Sequence, residues 1–384
     1  VIRATYLLDP VESAASLAES ASVGVPWGSA SARAQVADVE PGAGTRGRVT
    51  FEFPVEFWGD DLTLLLATVV AGEIMDRADV RECRLVDLDL PDGLLPGPAF
   101  DAPDRVMVGA VLEPASGSSP RELGSVAADL VRGGVDVIVD PVALADPPWC
   151  PIEDRVAAVG AATPDDVTYF ANVTGHAGTV MHRASVAVDM GAGGLIVHAG
   201  VQGLDTVRLL READLGVPVF APRTGFAPWL RSERFGLAPD TLARLLRLAG
   251  ADVISCGAID GSRWGGADDV VAQVAACRRP VHRRSSAQAG AGPDRRPPDP
   301  PDVSNDGPKD LPAAVAVLDG GLDPVAARAQ VERLGGSGLL VLLDHEAYVH
   351  PGGIEAAVRD TVAALEAPSA DPASGAERSR PPLP

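Results

Sequence analysis

From Val106 onward the chain repeats one pattern, a short apolar run followed by a stretch with apolar residues at helical spacing. The runs are Val108–Leu112, Val135–Val139, Thr168–Asn172, Gly194–His198, Val217–Ala221, Ala251–Ser255, Ala313–Leu318 and Gly338–Leu343. None alternates apolar with polar for long, which suits parallel strands buried on both faces. The intervening helices carry start signals. Ser119-Pro120-Arg121-Glu122 spells a capping box with proline in the first turn, and Asp323-Pro324 opens another helix in the same way. Eight strand–helix units predict a (β/α)8 TIM barrel, with an open doubly wound sheet as the alternative.

The first hundred residues follow another rhythm. Val1–Leu8, Arg46–Phe53 and Arg84–Leu90 read as strands, and Pro10–Ser20 and Asp61–Ala71 as helices. The proline-rich segment Leu95–Arg105 divides an α+β domain at 1–100 from the barrel at 101–367. Two stretches stand outside this order: a Pro/Arg-rich insertion at about 282–310 and a tail at 368–384. Both lack the apolar surface to offset ordering entropy and are expected to stay mobile. Arginine pairs at 278–279, 283–284 and 295–296 fit a solvated linker better than a binding site for an acidic partner.

Composition narrows the function. With 32 basic and 53 acidic side chains, the 384 residues carry a net charge of −21. That field opposes nucleic acid and anionic membrane surfaces, which are bound by clustered Lys and Arg. Lys309 is the single lysine. It lies in the Pro-rich stretch, which removes P-loop, Schiff-base and carbamylated-lysine chemistry from an ordered strand. Cys83, Cys150, Cys256 and Cys277 have no metal-ligand spacing. With neither a signal peptide nor a long apolar span, the expectation is a cytoplasmic protein with reduced thiols.

In barrels of this kind chemistry gathers at the carboxyl ends of the strands. Those ends carry Glu113, Asp140, Asn172, His198, Arg223, Ser255 with Cys256, Asp319, and Asp344-His345-Glu346. Each has an ordinary reading as well. Asp140 before Pro141 and Asp319 before Gly320-Gly321 suit turns, His198 suits a core, and Cys256 suits a small buried hydrophobe. Arg223 needs an acid, which Glu113 or Asp140 could supply. An acid/base pair is expected among Glu113, His198, Asp319, Asp344, His345 and Glu346. Rim carboxylates can hold a hard cation. No His-x-x-x-His spacing supports one, so neither metal nor other cofactor is expected. A G-x-S-x-G elbow and a dinucleotide fingerprint are absent, and Gly191–Gly194 reads as a helix end.

Several segments resemble the large subunit of ribulose-bisphosphate carboxylase, and more closely the RuBisCO-like proteins. They are Ala4–Pro10 (ATYLLDP), Leu85–Phe100 (LVDLDLPDGLLPGPAF), Gly133–Pro151 (GGVDVIVDPVALADPPWCP), Pro222–Gly236 and Leu246–Gly257 (LRLAGADVISCG). The resemblance implies a small α+β (ferredoxin-like) amino-terminal domain before the barrel. It also implies an antiparallel homodimer with sites near the subunit interface. The family's chemistry departs. Its Lys-Pro-Lys segment is Glu113-Pro114-Ala115 here, and its carbamylated lysine and magnesium ligands give way to Val139-Asp140-Pro141-Val142. Its fifth-strand histidine becomes Pro222 beside a retained Arg223, its sixth-strand histidine becomes Ser255, and its mobile-loop lysine becomes Ser262. Its phosphate-binding serine becomes Asp319 before Gly320 and Gly321, and its eighth-strand triple glycine becomes Asp344-His345-Glu346. From the first domain a glutamate is kept as Glu19, and an asparagine becomes Glu73.

The resemblance with these replacements excludes carboxylation and the metal-dependent enolase reaction. The expected function is metal-independent acid/base chemistry (isomerisation, elimination or an aldol-type step) on a small, non-phosphorylated polar metabolite, in a biosynthetic pathway. Glu113 leads as acid or base, His345 or His198 carries the second proton, and Arg223 orients an anionic or carbonyl group. Asp140, Asn172, Ser255, Cys256, Gly320, Gly321, Glu19 and Glu73 complete the expected substrate-binding set. The alternatives are a non-catalytic binding or scaffold homodimer, and a sugar-phosphate isomerase related to the methylthioribulose branch.

Overall fold

The computed structural model describes residues 1–21, 34–54, 62–70, 73–90, 104–114, 116–262, 265–279 and 314–367. The boundary at 95–105 falls largely outside these residues. The insertion expected at 282–310, the tail at 368–384 and Lys309 fall wholly outside them.

In the first domain β1 (Ile2–Asp9) alternates buried and less buried positions along its length, as a half-buried strand should. It pairs antiparallel with β3 (Gly47–Phe53) on one side and β4 (Glu82–Asp89) on the other, and β2 (Gln35–Pro41) adds to β3. The order β4-β1-β3-β2 is the ferredoxin-like arrangement. Tyr6, Phe51, Phe53 and Leu85 fill its core, with Tyr6 and Phe51 edge to face at 5.6 Å. Sequence reading does not find β2, because all of it but one residue is exposed and no apolar alternation marks it. The helix expected at Pro10–Ser20 begins with a 3-10 turn (Val11–Ser13) and continues as α-helix over Ala14–Ala21. The helix expected at Asp61–Ala71 is α over Leu62–Leu65 and π over Leu66–Val70.

The barrel contains every predicted run. Its strands are β5 (Met107–Val111), β6 (Val137–Val139), β7 (Thr168–Asn172), β8 (Gly194–Ile196), β9 (Val219–Ala221), β11 (Val253–Ser255), β12 (Val315–Asp319) and β13 (Leu339–Leu343). All pair in parallel, and the pairing of β11 with β9 and of β13 with β5 closes the cylinder and excludes the open sheet. Met107, Val137, Val139, Phe170, Ile196, Phe220, Val253, Val317 and Leu342 belong to the cluster that packs its interior. Phe170 and Phe220 meet edge to face at 5.9 Å within it. The cylinder is therefore a filled core, and only its carboxyl rim is open to chemistry. The two predicted helix starts are in place. Ser119 and Glu122 form a reciprocal capping box on the helix Pro120–Gly133, and Asp323 accepts the Ala326 amide at 2.7 Å.

One strand joins the two halves. β10 (Phe235–Leu237), from the barrel half of the chain, lies parallel against β4 and extends the amino-terminal sheet to five strands. Arg84 of β4 supports it through the carbonyls of Leu230 (3.1 Å), Phe235 (3.3 Å) and Ser232. Gly236 has φ +96°, a conformation that favours glycine. No helix among the described residues is long and apolar enough to cross a membrane.

Candidate active site

Strands β5 and β13 are neighbours, with Leu343 opposite Ala110. The segments leaving their carboxyl ends therefore meet at the rim. Glu113 stands two residues beyond β5, and β13 leads through Asp344 into the one-turn helix His345–Tyr348. His345 Nδ1 lies 3.4 Å from Glu113 Oε2, an ion pair whenever the imidazole is protonated. The histidine side chain is 77% exposed and the glutamate 29%. Tyr348, which sequence reading misses, joins them. Its hydroxyl donates to the Val111 carbonyl (2.7 Å) and accepts from the Glu113 amide (3.1 Å). Burial pushes the phenol upward, so it stays neutral.

The next sector of the rim belongs to strands β11, β12 and β13. Asp319, which ends β12, is buried, and its Oδ1 accepts from Ser255 Oγ (2.8 Å) and the Gly257 amide (3.0 Å). Gly320 and Gly321 come next, with φ +114° and +77°. Glu346 lies over this pair: a Cβ at Gly321 would stand 3.3 Å from both Cγ and Oε1 of Glu346, and 3.5 Å from Ser262 Oγ. Asp344 is partly buried, and its carbonyl accepts the Ala347 amide at 2.9 Å. Arg223 is partly buried and donates to the Cys256 carbonyl at 3.3 Å. The Cys256 thiol is fully buried 3.8 Å from that of Cys277, and this contact, together with burial, raises it.

Asp140, Asn172 and His198 are buried at the carboxyl ends of β6, β7 and β8. Asp140 Oδ2 accepts from Arg155 Nε (3.0 Å) and the Asn172 amide (2.9 Å), and its Oδ1 accepts from the Tyr169 hydroxyl (2.8 Å). Burial raises this carboxyl, while Arg155 and the hydrogen bonds oppose the rise. Asn172 Nδ2 donates to the Pro141 carbonyl (3.0 Å), and its Oδ1 accepts from the Thr174 amide (2.9 Å). These bonds tie β6 to β7. Asp140 thus has Arg155 as its acid–base partner, and Glu113 has His345, where the sequence alone offers both to Arg223. Nothing local in the sequence pairs Asp140 with a residue fifteen positions on. His198 is 3% exposed, and neither ring nitrogen has a hydrogen-bond partner among the described residues. Desolvation lowers its pKa to about 4, so the ring is neutral at physiological pH.

The remaining expected residues belong to the first domain. Glu19 is exposed on the helix Ala14–Ala21. Glu73 opens the helix Glu73–Asp76, and its side chain lies outside the described residues.

A closed (β/α)8 barrel paired with a ferredoxin-like sheet that borrows one strand from the barrel half defines a narrow class of two-domain proteins. The family model for the ribulose bisphosphate carboxylase large chain, catalytic domain, matches residues 98–380, and the chain belongs to that family. A ribulose bisphosphate carboxylase-like protein of Chlorobaculum thiosulfatiphilum is 30% identical over 255 residues, which are 62% of this chain and 58% of that protein. The crystal structure of a rubisco-like protein from Burkholderia fungorum superposes with a TM-score of 0.78 at 23% identity, covering 95% of this chain and 93% of that one. The dimeric archaeal Rubisco of Hyperthermus butylicus gives a TM-score of 0.78 at 22% identity, over 95% and 90% of the two chains. Matches to the first curated relatives span 58–62% of those relatives' own length.

The residues here do not fit the family's magnesium-bound carbamate. Val139, which the sequence resemblance sets at the family's lysine position, is a buried apolar residue of the barrel interior, and Asp140 is engaged by three donors. Among the described residues no group of three or more His, Cys, Asp or Glu is placed to hold a metal ion.

Proposed function

We propose that this chain is a non-carboxylating, metal-independent acid/base enzyme acting on a small polar metabolite without a phosphate, through isomerisation, elimination or an aldol-type step. The Glu113–His345 contact of 3.4 Å carries this reading. A carboxylate and an imidazole at that spacing can take a proton from one atom of a bound molecule and return one to another. Arg223 follows β9, three strands from β13 and four from β5 around the rim, and supplies a cation for a carboxylate or carbonyl group. Glu346 argues against a phosphate at Gly320–Gly321. Two unit charges 6 Å apart repel by roughly 3 kcal/mol at an effective dielectric of 20, and by less where water screens them. Backbone hydrogen bonds to a charged group return about 1.5–3 kcal/mol each.

The active form is a homodimer, a reading supported by the dimeric archaeal neighbour. Four free buried cysteines suit a reducing compartment such as the cytoplasm. A second reading, a binding or scaffold protein without turnover, draws on the framework bonds that engage Asp140, Asn172, Ser255 and Asp319.

Solvent exchange separates the two. The full chain is incubated in deuterated buffer with non-phosphorylated 2-oxo acids, hydroxyketones and aldoses, and loss of C–H signal is followed by NMR. We expect exchange in at least one compound, lowered about 100-fold or more in Glu113→Gln while that compound still raises the melting temperature. Exchange undiminished in Glu113→Gln overturns the acid/base assignment. A compound that raises the melting temperature with no exchange anywhere in the panel favours the scaffold reading. Metal-free binding of ribulose bisphosphate at Gly320–Gly321 would overturn the exclusion of phosphates and revive the sugar-phosphate isomerase.

A further inference from the structure

The rim pair has a weak point. An exposed ion pair contributes about 0–1 kcal/mol and leaves long side chains free to sample other rotamers. His345 is 77% exposed, so its contact with Glu113 does not hold itself in place. Tyr348 lies three residues further on in the same one-turn helix, on the side that faces β5. Its hydroxyl takes the main chain of the strand exit at two points, the Val111 carbonyl and the Glu113 amide. Between them, the Leu112 amide is held by the Val139 carbonyl at 2.9 Å from the other side. The helix therefore grips Glu113 twice, by its backbone through Tyr348 and by its carboxylate through His345.

We infer that Tyr348 is the positioning residue of the site, setting the helix that carries His345 at a fixed height over Glu113. It is not itself the proton carrier. Its proton is committed to Val111, its oxygen receives the Glu113 amide, and burial keeps the phenol neutral. The inference rests on the acid/base reading of the Glu113–His345 pair and names the device that makes the pair usable. A misplacement of about 1 Å can cost on the order of a hundredfold in rate, so a fixed helix matters more here than the bond energy alone.

Selective labelling of histidine and glutamate allows the nuclear Overhauser contact between the His345 ring and the Glu113 methylene protons to be read in the full chain. We expect the contact in the wild type and a loss of about half its intensity or more in Tyr348→Phe, which keeps the ring and removes the hydroxyl. The Glu113 amide, protected from exchange in the wild type, should lose protection in the same variant. In the deuterium-exchange assay Tyr348→Phe should lower kcat about tenfold and leave KM within about twofold. A contact retained in full by Tyr348→Phe overturns the inference and leaves the acid/base reading standing. No contact in the wild type removes the pair, and both fall. If Tyr348→Phe fails to fold, the wild-type amide decides: exchange of the Glu113 amide as fast as in an open loop overturns the inference.

Discussion

His198 illustrates what a single side chain can do with no hydrogen-bond partner for its ring among the described residues. Its ring is buried, and desolvation lowers its pKa from 6.5 to about 4. Above pH 6.5 the ring is neutral in both folded and unfolded chains and does not affect the balance. Below 6.5 the unfolded chain gains a proton that the folded chain refuses, so stability falls by about 1.4 kcal/mol per pH unit until the folded ring protonates near pH 4. The full loss is about 3 kcal/mol. We expect urea unfolding to give a stability drop between pH 7 and pH 4 that is about 3 kcal/mol smaller in His198→Leu than in the wild type. Equal drops would mean that the ring is hydrated in the folded protein. Sequence reading places His198 at a strand end but does not tell a buried ring from an exposed one, because that depends on side chains packed against it from elsewhere in the chain. It does place Glu113 and His345 at neighbouring strand ends, since the barrel count makes the first and eighth strands adjacent. Tyr348 is beyond it, because the partners of its hydroxyl lie 235 and 237 positions away.

At the level of elements, legibility follows burial. The barrel strands announce themselves because both of their faces are covered, which demands unbroken apolar runs. Several begin two residues later than their runs, as in β6 at Val137 and β9 at Val219, because the first apolar residues close the preceding turn. β2 and β10 leave no such mark. β2 is an exposed edge strand, and β10 is three residues long and exists through its partner. Capping is the opposite case, a chemistry written locally. Ser119 accepts the Glu122 amide while the Glu122 carboxylate accepts the Ser119 amide at 2.7 Å. Replacing Ser119 with alanine should cost about 1 kcal/mol in chemical denaturation. A cost below about 0.3 kcal/mol would mean that water serves the Glu122 amide equally well.

For the molecule as a whole, charge governs association. Two chains of net charge −21 repel at long range, so the proposed homodimer should tighten as salt screens them. Light scattering at micromolar concentration is expected to give twice 39.4 kDa, with the dimer favoured further on raising salt. A single 39.4 kDa species at high salt would remove the shared-site expectation for Glu19 and Glu73. The seam at β10 bears on how such a molecule is made. Cys83–Leu85 leave the ribosome long before Phe235–Leu237, which pair with them. At about 5–20 residues per second the delay is roughly 8–30 s. Throughout that interval the outer edge of the first sheet stands open as a template for any passing strand. Nascent chains stalled within the barrel are therefore the ones most exposed to misassembly, and a holdase that covers this edge during translation would raise the yield of folded protein.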